Sequence, residues 1–136
     1  MNSSLAFIRD ELATHPLAKW FRISLKDVSR TQLLLGLTPQ DESAAALCDS
    51  AGLCALLVDY GARKLGQEIL GCCVVNECEV SIHKRVIAQE WQLAITLESV
   101  APQDASFICQ IFAVIDGRAS LMAESQGTLM RNNKIA

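Results

Sequence analysis

One carboxylate, Asp49, stands inside a run of small and apolar residues from Ala44 to Val58: Ala-Ala-Ala-Leu-Cys-Asp-Ser-Ala-Gly-Leu-Cys-Ala-Leu-Leu-Val. A buried carboxylate without a partner is costly, or its pKa shifts upward. It needs a hydrogen-bonding neighbour or a chemical task. At about 100° per residue, Ala45, Asp49, Gly52, Leu53 and Leu56 share one helical face, so the acid belongs to the face with the smallest side chains. Two readings stand side by side. In the structural one, Gly52 and the alanines let a strand or a second helix approach, and Asp49 bonds a backbone amide or a basic group. In the functional one, the small residues leave a slot for a ligand chain. A carboxylate there acts as general base on a water or as nucleophile on a carbonyl carbon. The free amides of the helix's first turn, near Asp41 to Ala45, would polarise an acyl oxygen.

Other polar residues deserve the same weighing. Asn76 falls on the strand face of Cys72, Val74, Cys78, Val80 and Ile82, where it interrupts an apolar row and needs a partner. It is a candidate for lining a ligand tunnel. His83, Lys84 and Arg85 end the same strand as a basic rim, and with Arg118 they can meet phosphate groups. Glu124 alternates with Leu121 and Ala123 and is expected to face solvent. The six cysteines, Cys48, Cys54, Cys72, Cys73, Cys78 and Cys109, lie in apolar periodic segments and read as small hydrophobes. Vicinal Cys72 and Cys73 point to opposite faces of a strand. No His or second close Cys pair completes a metal set, so neither metal nor cofactor is expected. Trp20 and Trp91 read as packing anchors.

These residues are positioned by a recognisable order of elements. Leu5, Ile8 and Leu12 recur at helical spacing behind Ser3 or Ser4, giving an N-terminal helix within residues 1–17 that ends at His15-Pro16. Phe21, Ile23 and Leu25 alternate with Arg22, Ser24 and Lys26, and Thr31 to Leu37 is a second extended run, with the turn in Asp27 to Arg30. A long helix is expected from about Asp41 to about Lys64, acids at its start, Arg63 and Lys64 at its end, and Gly66 as its stop. Four extended runs follow: Ile69 to Ile82, Ile87 to Val100, Phe107 to Ile115 and Ser120 to Met130. Asp116-Gly117 marks a tight turn between the last two. Residues 131–136 read as a flexible tail.

Strands near ten residues suit a sheet that wraps something. The helix around Asp49, apolar nearly all round, is the object to be wrapped. The expected architecture is α+β, one domain over residues 1–136: a long central helix wrapped by a curved antiparallel β-sheet. Phe107 to Val114 is apolar on both alternations, which fits burial on both sides and points to a symmetric dimer.

Composition removes several classes of function. A formal charge of −3 and few aromatics leave neither a basic field nor a stacking track for nucleic acid. No segment has the roughly eighteen uninterrupted apolar residues of a membrane span. Without a basic region leading into an apolar core near residue 1, a cytoplasmic protein is expected.

The element order resembles the hotdog fold, and within it the thioesterases that hydrolyse acyl-coenzyme A or acyl-carrier-protein thioesters, over about residues 18–130. Leu47-Cys48-Asp49-Ser50-Ala51-Gly52 is similar to the family's Leu-Ala-Asp-Thr-Ala run in the central helix, where the acid is base or nucleophile. Ala123-Glu124-Ser125-Gln126-Gly127-Thr128 is similar to its final-strand pattern with a Gly-Thr pair. The resemblance implies a homodimer, or a dimer of dimers, with active sites between subunits. It implies Asp49 as the catalytic acid, Ala45, Gly52, Leu53, Leu56 and Asn76 along the acyl path, and His83, Lys84 and Arg85 near the coenzyme A phosphates. One departure matters: the family's Gly-rich approach to the helix is replaced here by Gln40-Asp41-Glu42-Ser43-Ala44. Ser43 can donate a hydrogen bond and Glu42 can itself be the acid, as in the hotdog branch that dehydrates 3-hydroxyacyl thioesters. The resemblance thus keeps three activities open: thioester hydrolysis, such a lyase reaction, and acyl or lipid binding without catalysis.

Overall fold

Phe21–Val28 (β1) and Gln32–Pro39 (β2) form an antiparallel hairpin, registered from Phe21↔Pro39 to Val28↔Leu33. The turn is tighter than the expected Asp27 to Arg30 stretch, because β1 continues to Val28 and Ser29 N–H donates to the Gln32 carbonyl at 2.8 Å. The computed structural model describes residues 16–42, 51–84 and 88–132, without the side chains of residues 16, 17, 51–53 and 68. The expected N-terminal helix falls outside these apart from a short 3₁₀ turn, Pro16–Lys19.

Helix α1 is described over Ala51–Leu70. It is followed by β3 (Cys73–Ile82), β4 (Glu90–Val100), β5 (Asp104–Ile115) and β6 (Arg118–Arg131). The strands make one antiparallel sheet in the order β1-β2-β4-β5-β6-β3. The β5–β6 turn is the one the sequence signals: Asp116 (φ 51°) and Gly117 (φ 78°) are both left-handed, as a two-residue turn matched to strand twist requires.

The core lies between α1 and one sheet face. On β4, Trp91, Leu93, Ile95 and Leu97 are buried while Gln92, Ala94 and Thr96 are half-buried, so period-two alternation holds. Leu93 sits opposite Leu35 of β2 and Ile111 of β5. Cys54, Leu57, Val58, Ala62 and Leu65 bring the helix down on this surface.

Gly66 does not stop the helix. A Cβ there would come within 2.7 Å of Leu129 Cδ1 and 3.0 Å of Cys73 Sγ, so this glycine lets helix and sheet close up. The helix ends instead at Gly71, whose positive φ of 72° reverses the chain and whose N–H donates to the Gln67 carbonyl at 3.2 Å. The strand expected from Ile69 accordingly begins at Cys73. Nor is residue 131 in a tail: Arg131 ends β6, its Nε donates to the Leu70 carbonyl at 2.9 Å, and Asn132 N–H donates to the Cys72 carbonyl at 2.8 Å.

The expected single row from Cys72 to Ile82 is also revised. The β3–β6 register shifts between Val75 and Glu77, so Cys73 is buried ahead of the bulge while Cys72 and Val74 face out. Gly127 makes the bulge possible, since a Cβ there would collide with the Glu77 carbonyl oxygen and lie 2.7 Å from Phe107 Cζ. A helix lying on a curved antiparallel sheet in this manner is the hotdog arrangement.

Candidate active site

Asp49, Ser43, Ala45 and Arg85 lie outside the described residues. Glu42 is described, exposed and helical. Gly52 and Leu53 belong to the first described turn of α1, by backbone only.

Downstream, the helix has two unlike flanks. Cys54, Leu57 and Val58 are buried against the sheet. Leu56, expected beside an acyl path, is 48% exposed in the single chain. It therefore does not line the space between helix and sheet. Asp59 and Arg63, one turn apart, form a half-exposed ion pair at 2.9 Å farther along. A helix covered from one side keeps part of its surface open, however apolar its sequence.

Between the first described turns of α1 and the sheet lies an apolar cleft walled, among the described residues, by Phe21, Leu37, Cys54, Leu57, Trp91, Leu93 and Ile111. About 10 Å³ is open there, roughly one water-sized sphere. Trp91 is only 2% exposed, and its Nε1–H has no acceptor among the described residues. A buried donor left unpaired costs on the order of 1–3 kcal/mol. As a packing anchor Trp91 matches the sequence reading. The unpaired donor was not legible, because a sequence gives the ring but not what surrounds its N–H.

The opposite sheet face is polar. His83 Nε2 lies 2.8 Å from Glu124 Oε1, both side chains nearly half exposed. The pair forms because β3 and β6 are registered with Ser81 opposite Glu124, and because the His83 and Lys84 amides both donate to the Met122 carbonyl at 2.7 and 3.2 Å. Glu79, Ser81, Gln110 and Gln126, together with Ile108, Cys109 and Ser125, line a cleft of about 260 Å³ around it. Adjoining hollows of about 680 and 280 Å³ add Glu77, Glu98 and Asp104. These carboxylates would repel a phosphate placed along this face. Lys84 is exposed, and Asn76 is exposed at the bulge, where the register shift removes it from the apolar row.

Cys72, Cys73, Cys78 and Cys109 are free thiols. Burial, then the neighbouring Cys78 and Cys54, pushes the Cys109 thiol well above the ordinary range. Burial, then Cys72, raises Cys73 against the opposing pull of Arg63. A thiol held neutral is a poor nucleophile, so these two are packing groups. Cys78, expected within the apolar row, is exposed and contacts Ser125 Oγ at 3.1 Å.

No protein-family model and no curated protein matches this chain. Solved structures do match its fold. A thioesterase family protein from Silicibacter pomeroyi superposes with a TM-score of 0.77 at 15% identity, covering 93% of this chain and 96% of that one. The PaaI protein of the Escherichia coli phenylacetic acid degradation operon gives 0.76 at 11% identity, covering 97% and 95%. A thioesterase from Haemophilus influenzae gives 0.70 at 12% identity, covering 90% and 86%. At such identities the likeness is one of fold.

Proposed function

We propose that this hotdog-fold chain hydrolyses an acyl thioester of coenzyme A or an acyl-carrier protein. The observation that carries the reading is the fold likeness over nearly the whole chain to proteins described as thioesterases, in a sequence with a lone carboxylate, Asp49, in the small and apolar run that leads into α1. Asp49 takes a proton from water as the water oxygen adds to the thioester carbonyl carbon. The carbon–sulfur bond then breaks, and the proton passes to the departing sulfur, giving a carboxylic acid and a free thiol. Amides at the start of the helix, with the Ser43 hydroxyl, hold the developing oxyanion. Direct attack by Asp49 on the carbonyl carbon is the covalent variant.

The lyase reading is less well supported. It needs a histidine working with the central-helix acid, and the acid beside His83 is Glu124, on the sheet face turned away from α1. Two copies would complete the site. β3 is an edge strand of ten residues, and a second copy pairing along it would cover its open side.

Thiol release from a panel of acyl-coenzyme A substrates tests the proposal. Asp49→Ala should lower kcat by about a hundredfold or more, with Asp49→Asn close behind. Equal nonzero rates in wild type and variants would remove Asp49 from the mechanism, and zero rates throughout would remove hydrolysis. Denaturation of the same proteins separates a folding role from a catalytic one.

A further inference from the structure

We propose that Lys19, Trp20 and Arg22 form the subsite for the nucleotide end of coenzyme A, with the Trp20 indole stacked on the adenine ring and the two cations facing the phosphates. The inference rests on the thioester reading above and deepens it by choosing the substrate class. That class is a thioester of coenzyme A itself, because the pantetheine arm of an acyl-carrier protein carries no adenine.

Trp20 reads from the sequence as a packing anchor, yet it is 45% exposed where Trp91 is 2% exposed. A single exposed apolar side chain is ordinary and asks for no explanation. Trp20 differs in how it is held and in what stands beside it. Its carbonyl accepts the Gln40 N–H at 2.9 Å, and Gln40 Nε2 donates to the Ala18 carbonyl at 2.8 Å. Gln40 thus ties the segment 18–20 to the end of β2, two residues before the helical Glu42, where the chain enters the helix start that the thioester reading uses. Alternation about the buried Phe21 leaves Trp20 and Arg22 exposed on either side of it, and Lys19 is exposed as well. Neither Lys19 nor Arg22 has an ion-pair partner among the described residues, whereas Lys26, farther along β1, is taken up by Glu90 at 3.1 Å.

Charge decides between the two edges of the sheet as the place for the phosphates. At the β3 edge, the rim of His83 and Lys84 borders hollows walled by Glu77, Glu79, Glu98, Asp104 and Glu124, and His83 is already in contact with Glu124. A ligand with several negative charges is repelled there. At the β1 edge the neighbouring acids in sequence are Asp41 and Glu42, which Lys19 and Arg22 match in number. The cations therefore orient the phosphates without creating a broad positive field. Most of the affinity comes from the ring, since any base offers a face to an aromatic side chain.

The test measures thiol release from the acyl-coenzyme A cleaved best in the panel above and from the matching acyl-pantetheine, which has the same thioester and no nucleotide. Trp20→Ala should raise KM for the acyl-coenzyme A about tenfold at nearly constant kcat and leave the acyl-pantetheine kinetics unchanged. Trp20→Phe keeps a ring and should lose less. Arg22→Ala should raise the same KM by about twofold to fivefold, an effect that added salt removes. Thermal melting verifies that the variants fold. Equal changes on both substrates, or none on either, overturn the subsite and leave hydrolysis standing. If wild type cleaves nothing, hydrolysis fails, and tryptophan fluorescence decides the subsite. The chain has two tryptophans, one nearly half exposed and one buried, so coenzyme A should quench the emission of wild type and not that of Trp20→Ala, while pantetheine quenches neither. No quenching, or quenching that survives in Trp20→Ala, overturns the subsite.

Discussion

β3 and β4 are nearly equal in length, ten and eleven residues, and both alternate apolar side chains, yet they have opposite fates. On β4 every second residue from Trp91 to Leu97 is buried. On β3 only Cys73 is buried, and Val74 is 42% exposed. The difference is position. β4 lies between β2 and β5 with α1 across its inner face, whereas β3 is the last strand of the sheet and bulges at Val75/Glu77. Alternation in sequence states which side chains share a face where no bulge intervenes, but not whether that face is covered.

The sharpest way to break this comparison is to remove one large side chain from each region. Phe107 of β5 is 1% exposed and lies opposite Leu97. Phe107→Ala should destabilise the chain by about 3–5 kcal/mol, while Val74→Ala should stay within about 0.5 kcal/mol. Urea denaturation of the two variants measures the difference. Comparable losses would mean that β3 is covered in solution, as a pairing second copy would cover it.

A smaller effect is expected where the regions meet. Gly127→Ala places a methyl group against the Glu77 carbonyl oxygen and Phe107, so the bulge or the ring must move. The expected loss is about 1–3 kcal/mol by thermal denaturation. Phe107→Leu in the same chain should recover part of it, because the obstructing ring atoms are gone. Failure to recover would place the strain on the backbone oxygen alone.

The smallest effect appears only in alkali. Burial raises the Cys109 thiol above its ordinary value of 9.0, so between that value and the folded-state one the unfolded chain binds fewer protons than the folded chain. Stability from this group is fully present below about pH 9 and declines as pH rises through the folded-state value. Stability measured against pH should therefore fall less steeply above pH 9 in Cys109→Ala than in the parent. An unchanged slope in Cys109→Ala would refute the assignment.

Legibility in the sequence followed the range of the interaction. The β5–β6 turn was readable because Asp116 and Gly117 carry the left-handed geometry in their own residue types. The alternation of β4 was readable for the same local reason. Gly66 was misread as a helix stop because its role depends on Leu129 and Cys73, reached only after the chain has folded back. Arg131 looked like part of a tail because its anchor, the Leu70 carbonyl, is 61 residues away. Trp91 was identifiable as core and Glu124 as solvent-facing, but neither the lack of an acceptor for the indole among the described residues nor the contact of Glu124 with His83 has a local signature.

By itself, then, the sequence determined the order of helix and strands, the face shared by the alternating residues of β4, and the presence of a lone carboxylate in a small and apolar run. All of these depend on residue type and spacing along a few turns of chain. Only the tertiary structure decided that β3 is an edge, that its register slips beside Gly127, that Leu56 stands clear of the sheet, and that Trp91 is buried with no acceptor among the described residues. Those outcomes depend on which distant segments arrive within a few ångströms of one another, and spacing along the chain carries no record of that.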